Sequence, residues 1–212
     1  MIHATMKTSH LPSSIPDFHN RISYEQFLDM FDEDTRAEWV HGEVVYMSPA
    51  SLIHQDLTGF LSAILRYYVE FCDLGMICPA PFQMKTGPHL PGREPDILFI
   101  NTNHLDRLRE NFLNGPADMV VEIISPESVR RDRQDKFLEY EKGGVREYWL
   151  IDPMRKQAEF FTLKDHRFQQ ISIDENHIFQ SLVLTGLWLN VEWLWKKPLP
   201  ALLTVLKEWK IV

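Results

Sequence analysis

The chain has 212 residues, 44% of them hydrophobic and 12% aromatic, which is enough for a packed core and too apolar for a disordered chain. Thirty acidic against 22 basic side chains give a formal charge of −8. That balance excludes a protein that coats nucleic acid through bulk positive charge, though not one with a local basic groove.

The opening 20 residues, rich in Pro and Ser, carry no apolar run of signal-peptide length and are expected to form a flexible arm ahead of one domain spanning 21–212. No stretch reaches the roughly 20 apolar residues a membrane span needs, so the expected location is cytoplasmic. Ser23 followed by Gln26 reads as a capping box opening a short helix over YEQFLDMF. RAEWVHGEVVYMSP reads as a hairpin turning at His41 and Gly42. Over 51–73 the period changes: Leu57, Phe60, Leu61, Ile64, Leu65 and Tyr68 recur at three- and four-residue steps, predicting a long amphipathic helix. Gly75 stands where a left-handed cap would end it. Cys72 and Cys78 offer neither a disulfide framework nor zinc-ligand spacing and are read as buried free thiols.

MICPAPFQMKT reads as one strand and DILFINT as a second, with a helical turn around 105–111 and ADMVVEIIS as a third. The segment 126–142 is amphipathic and helical, with Pro126 suited to its first turn and Gly143-Gly144 to its end. REYWLIDP, QAEFFTL, RFQQISI and HIFQSLVL follow as strands of mixed orientation, and the tail supplies one or two short helices. The aromatics Trp149, Phe160, Phe161, Trp188, Trp193 and Trp195 belong to a core or an oligomer interface, and a homodimer is expected on that ground.

One residue breaks its own pattern. Glu122 stands in MVVEII, where the flanking residues imply burial on both faces. A buried carboxylate must be paired, protonated or bound to a cation. Glu122 therefore belongs either to a salt bridge, with Arg130 or Arg131, or to a functional site. Asp96 bears on the choice, because it follows Pro95 at the start of the apolar run ILFI. Two neighbouring strands that each present a carboxylate can converge on a hard divalent cation, Mg²⁺ or Mn²⁺, which could activate water and neutralise charge on a phosphate.

The run GPADMVVEIISPESVRRDRQDKFLEYEKGGVREYWLIDP resembles the Uma-type family of restriction-endonuclease-like proteins, assigned to the PD-(D/E)xK nuclease superfamily. HGEVVYMSPAS, His54-Gln55 and EPDILFI extend the resemblance over roughly residues 24–190. It implies an α/β fold with a restriction-endonuclease-like core, a mixed four- or five-stranded sheet flanked by helices, with extra antiparallel strands toward the C-terminus. It also implies an endonuclease acting on DNA, with Asp96 as the motif's Asp and Glu122 as its second acid. The superfamily's lysine lies two residues after that acid, on the same strand face, and here the position is Ile124. Lys136 is the candidate replacement, on a helix face shared with Asp132 and Tyr140 at four-residue steps. The alternative is a binding or regulatory module that keeps the fold and has lost catalysis.

The supporting candidates are Glu43 (ranked above Glu38 because it borders the turn), His54 at the start of the long helix, Gln83 on the adjacent strand, and Glu94. Ser125 is read as a helix cap. Arg130, Arg131 and Arg133 form a candidate phosphate-binding patch, with a solvated helix surface as the alternative.

Overall fold

The computed structural model describes residues 21–31 and 35–212, so the predicted N-terminal arm lies outside the described residues. The chain order opens with α1 (Tyr24–Met30), β1 (Ala37–Val40), β2 (Glu43–Tyr46) and α2 (Leu52–Phe71). Then come β3 (Gly75–Pro79), β4 (Gln83–Lys85), β5 (Gly92–Arg93), β6 (Ile97–Asn101), β7 (Phe112–Asn114) and β8 (Met119–Ile123). Helix α3 (Phe137–Gly143) is followed by β9 (Glu147–Asp152), β10 (Gln157–Lys164), β11 (Arg167–Ile171), β12 (Ile178–Gln180), β13 (Trp188–Asn190) and α4 (Leu202–Glu208).

The main sheet has six strands in the order β11-β10-β9-β8-β6-β3, mixed because β8 and β9 run parallel while the other pairs are antiparallel. A second, five-stranded sheet runs β2-β1-β5-β4-β7, and β12 pairs with β13 alone. The expected α/β class and C-terminal antiparallel strands are present. The four- or five-stranded core is corrected to six strands plus a separate smaller sheet.

Alternation along the strands divides the core in two. Ile97, Phe99, Met119, Val121 and Ile123 face α2 and the C-terminal segments, whereas Leu98, Ile100, Val120 and Ile124 face α3. The predicted apolar stripe of α2 is the stripe that is buried, at about 1.5–3 kcal/mol per large aliphatic side chain. The capping box of α1 and the hairpin β1–β2 form as read, with His41 (φ 52°) and Gly42 (φ 95°) both in the left-handed region that a two-residue turn demands.

Three local expectations are corrected. The residue in the αL conformation that ends α2 is Asp73 (φ 52°), while Gly75, also at positive φ (147°), lies beyond the cap. Gly75 opens β3, where an added Cβ would lie 2.0 Å from the Ile100 carbonyl oxygen, so the glycine serves a close strand approach. MICPAPFQMKT is two strands in two sheets, since Pro79 and Pro81 lack the N–H groups that would continue one ladder. Cys72 and Cys78 are free but only partly buried.

The C-terminal half is fastened to the main sheet through Glu147, which is fully buried. Its carboxylate accepts hydrogen bonds from Trp149 Nε1 (2.7 Å), Ser181 Oγ (2.7 Å) and the backbone N–H groups of Leu182 (2.7 Å) and Val183 (3.1 Å). Replacing it leaves four donors without this acceptor at once, two of them buried, Trp149 Nε1 and Ser181 Oγ. Glu147→Ala is expected to lower stability by about 2–4 kcal/mol and Ser181→Ala by about 1 kcal/mol, measured by urea unfolding. Equal costs for the two variants would contradict this account.

Candidate active site

Asp96 and Glu122 come together because β6 and β8 are antiparallel neighbours, with Ile97 opposite Val121. Asp96, one residue before β6, accepts on Oδ2 from the backbone N–H of Ile123 (2.7 Å), and His54 Nε2 lies 3.2 Å from the same oxygen. His54 is delivered by the first turn of α2, where Ser51 caps the helix by accepting from the His54 backbone N–H.

Glu122 shares its strand face with Val120 and Ile124, on the side covered by α3. That is why Ile124 is core packing and a lysine has to arrive from the covering helix. Lys136 does so. Its Nζ lies 2.7 Å from Glu122 Oε1, 3.1 Å from Glu38 Oε1 and 3.6 Å from Asp132 Oδ1. Tyr140 Oη donates to the same Glu122 oxygen at 2.7 Å. The partner of Glu122 is thus Lys136, and neither Arg130 nor Arg131.

The segment read as one helix over 126–142 begins as a turn, passes through a π-helical stretch over Arg131–Lys136 and only then becomes α3. Eight residues of α-helix overshoot two turns by about 80°, and one wider turn takes up that drift. Asp132, Lys136 and Tyr140 are consequently all buried on the sheet side.

Glu38 on β1 completes the network. Arg93 Nη1 donates to Glu38 Oε2 (2.8 Å), while its other nitrogens form a two-pronged pair with Glu139 (2.7 Å each). Burial raises the Glu38 carboxyl, but Lys136, Arg93 and Arg131 outweigh it and hold its pKa at about 2. Burial would strip Lys136 of its proton, yet Glu122, Glu38 and Asp132 overcome that and keep it charged. Glu122 moves the other way. Burial pushes its pKa well up, Lys136 offsets only part, and Asp132 and Asp96 push it further. One ammonium shared among three carboxylates leaves Glu122 short of positive charge.

His54, Asp96, Glu122, Asp132 and Lys136 border a cleft of about 260 Å³ that also touches Arg36, Glu94, Ser125 and Arg131, with Glu38 and Arg93 behind its wall. Glu94 is held by Arg36 at 3.0 Å, and burial raises its pKa. Asp132 Oδ1 is buried without a hydrogen-bond donor among the described residues and the Arg131 Nε–H is buried without an acceptor, the two atoms lying 3.9 Å apart. Among the described residues no three His, Cys, Asp or Glu side chains converge as a metal cage. Mg²⁺ does not require one, because it commonly takes one or two carboxylates and completes its shell with water and phosphate. The open cleft, the paired carboxylates and the shortfall of positive charge at Glu122 fit such an ion.

Several sequence candidates lie elsewhere. Glu43 is exposed on β2 at the sheet edge, while Glu38, on the inner strand, is the acid in the network. Gln83 is buried behind the cleft, donating to the Ala37 carbonyl (2.7 Å) and contacting Glu94, not Asp96 or Glu122. The arginine patch is divided: Arg130 is exposed, Arg131 lines the cleft, and Arg133 turns away to Glu159 and Asp152. Ser125 makes no cap with its side chain; its backbone N–H donates to Ser128 Oγ (2.9 Å). Arg93 and Arg36 carry no local signal in the sequence, because their partners are 46 to 58 residues away.

A family model described as "Putative restriction endonuclease", Uma2, matches residues 24–192. The chain belongs to the Uma2 family. A crystal structure described as that of "a putative nuclease belonging to DUF820", from Anabaena variabilis, is similar to this Uma2 member with a TM-score of 0.68 at 16% identity, over 82% of this chain and 97% of that one. At that identity the likeness concerns the fold. No curated protein matches the chain.

The Glu38 geometry sets an acid dependence. With a pKa of about 2 in the fold against 4.5 ordinarily, Glu38 contributes stability that is complete above about pH 4.5 and is lost as pH falls toward 2. Glu38→Gln is expected to cost about 2 kcal/mol at pH 7, since Arg93 and Lys136 each keep another carboxylate, and nothing near pH 2. Urea unfolding of both proteins across that range reads the difference, and a cost independent of pH would refute the assignment.

Proposed function

We propose that the protein is a metal-dependent endonuclease that hydrolyses phosphodiester bonds of DNA in the cleft bordered by Asp96 and Glu122. The observation that carries this reading is the Lys136 ammonium 2.7 Å from Glu122, inside the fold of a nuclease-like family. Asp96 and Glu122 would hold Mg²⁺ or Mn²⁺, which when bound supplies Lewis-acid polarisation of the phosphate and a more acidic water.

The protein's own groups divide the remaining work. His54 and the Ile123 N–H fix Asp96 in one orientation, so its second oxygen is free to bind. Lys136 keeps a permanent positive charge beside Glu122, placed to orient an attacking water and to oppose negative charge growing on the phosphate. Tyr140 and Glu38 fix the ammonium and carboxylate against each other. Arg131 is the cleft group suited to a non-bridging phosphate oxygen. Ile124 in the usual lysine position favours a second reading, a DNA-binding module without catalysis.

Calorimetric titration of Mg²⁺ and Mn²⁺ into wild type and Glu122→Gln, paired with plasmid nicking, separates the readings. Metal binding is expected in wild type only, with nicking reduced at least about 10³-fold in Glu122→Gln and about 10²–10⁴-fold in Lys136→Met. Metal and DNA binding without nicking would support the module. Nicking that persists in Asp96→Asn would sink the assignment of the site.

A further inference from the structure

A second depression lies next to the active cleft, and its lining differs in charge from the rest of the chain. It is a notch of about 90 Å³ where three segments distant in sequence meet: the start of α2, the β9–β10 turn, and the stretch 194–199. Ile53, Trp195 and Leu199 are among its apolar lining residues, and Lys156, Lys196 and Lys197 surround them. The two depressions share the first turn of α2, for Ile53 lines the notch and the next residue, His54, lines the cleft. They are linked a second time through the sheet, since the end of β9 that leads to Pro153 lies beside the end of β8 that carries Glu122.

What sets the three lysines apart from the others that are exposed and unpaired among the described residues, Lys142, Lys164, Lys207 and Lys210, is that they line one notch. Arg36, Arg93, Arg133, Arg146, Arg155 and Arg167 are each paired with a carboxylate. Lys156, Lys196 and Lys197 are exposed, and none of them makes an ion pair among the described residues. Among the described residues lining the notch the one acid is Asp56, at its α2 wall. Three unneutralised ammonium groups therefore gather at one place in a chain of net charge −8. Exposed, solvated ammonium groups on flexible stems suit phosphates met in varying positions, which is how a duplex backbone is held.

We infer that the notch formed by the start of α2, the β9–β10 turn and the stretch 194–199 receives the sugar-phosphate backbone of duplex DNA, with Lys156, Lys196 and Lys197 as its phosphate contacts. The inference rests on the DNA-endonuclease reading. It assigns to that reading a positioning surface outside the reacting centre, leading the strand from the notch past His54 to the carboxylates. Contacts of this kind fix where the duplex lies and carry no sequence information. They also reconcile an acidic protein with a polyanionic substrate, because neutralising a few phosphates locally requires no net positive charge.

The test uses the full chain, wild type and the triple variant Lys156→Gln/Lys196→Gln/Lys197→Gln. The comparison protein is Lys142→Gln/Lys164→Gln, whose lysines are exposed near the opposite ends of β9 and its neighbours. Binding of a labelled 24-base-pair duplex of arbitrary sequence (about two helical turns) is followed by fluorescence anisotropy in EDTA between 50 and 200 mM salt, and plasmid nicking is measured with Mg²⁺. If three phosphate contacts are removed, the slope of log affinity against log salt should fall by about 2 to 3 in the triple variant. Nicking at limiting DNA should fall with it, while the rate at saturating DNA and the melting curve stay at wild-type values. The Lys142/Lys164 variant should match wild type in slope. A triple variant that binds with an unchanged slope overturns the inference, and the nuclease reading stands if wild type still nicks. An equal fall in both variants also overturns it, since the effect would then be one of overall charge. Wild type that neither binds nor nicks DNA overturns the inference together with the reading beneath it.

Discussion

The arrangement depends on one buried ammonium. Lys136 Nζ is the point at which the two sheets meet electrostatically, because Glu122 belongs to the six-stranded sheet and Glu38 to the five-stranded one. Two facing carboxylates in a dry interior would repel each other and remain unsolvated. A single cation between them turns the repulsion into a tie, and Arg93 extends the tie to Glu139 on α3. The π-helical stretch before α3 follows from the same requirement. The wider turn removes most of the drift of about 80° that Asp132, Lys136 and Tyr140 would show on a regular α-helix, so Lys136 and Tyr140 both reach the same Glu122 oxygen.

That origin explains what could be read from the sequence. The stripe on α2 and the apolar run of β8 are repeated local patterns, so their periodicity survives any tertiary arrangement. Glu122 was legible for the converse reason, as a charge inside a pattern that excludes charges. Asp96 and the candidacy of Lys136 needed the family resemblance as well, since nothing local distinguishes Lys136 from an ordinary surface lysine. Glu38 and Glu43 flank one turn and look equivalent. Only the pairing of β1 with β5, through Trp39 and Gly92, makes β1 an inner strand and leaves β2 at the edge. That pairing spans more than 50 residues and leaves no local trace.

The arginines fail as a patch for a geometric reason. Residues two apart on a helix point to opposite sides, so Arg131 and Arg133 cannot serve one ligand. Arg131 turns into the cleft, and Arg133 goes to Glu159 on β10 and Asp152 at the end of β9. A run of like charges in sequence is therefore divided by the helix, while lysines from segments 40 residues apart are gathered by the fold.

The distribution of the two kinds of cation carries the functional argument further. Arginine, planar and weakly hydrated, occupies the buried and half-buried pairs that fix the scaffold, as at Arg93 and Arg36. Two of the lysine settings bear on function, and they are opposite. Lys136 is wholly buried, a fixed charge at one point, whereas Lys156, Lys196 and Lys197 are exposed around the notch, where an ammonium on a flexible stem is free to adjust its position. The charge shortfall at Glu122 belongs to the same logic. A site that satisfied all its carboxylates internally would gain stability and have no remaining attraction for a cation. Here three acids share one ammonium, and burial keeps water from relieving them. The fold tolerates that deficit because Arg93 and Arg36 secure Glu38, Glu139 and Glu94, so the unmet demand is left on Glu122 and Asp132, which both line the cleft.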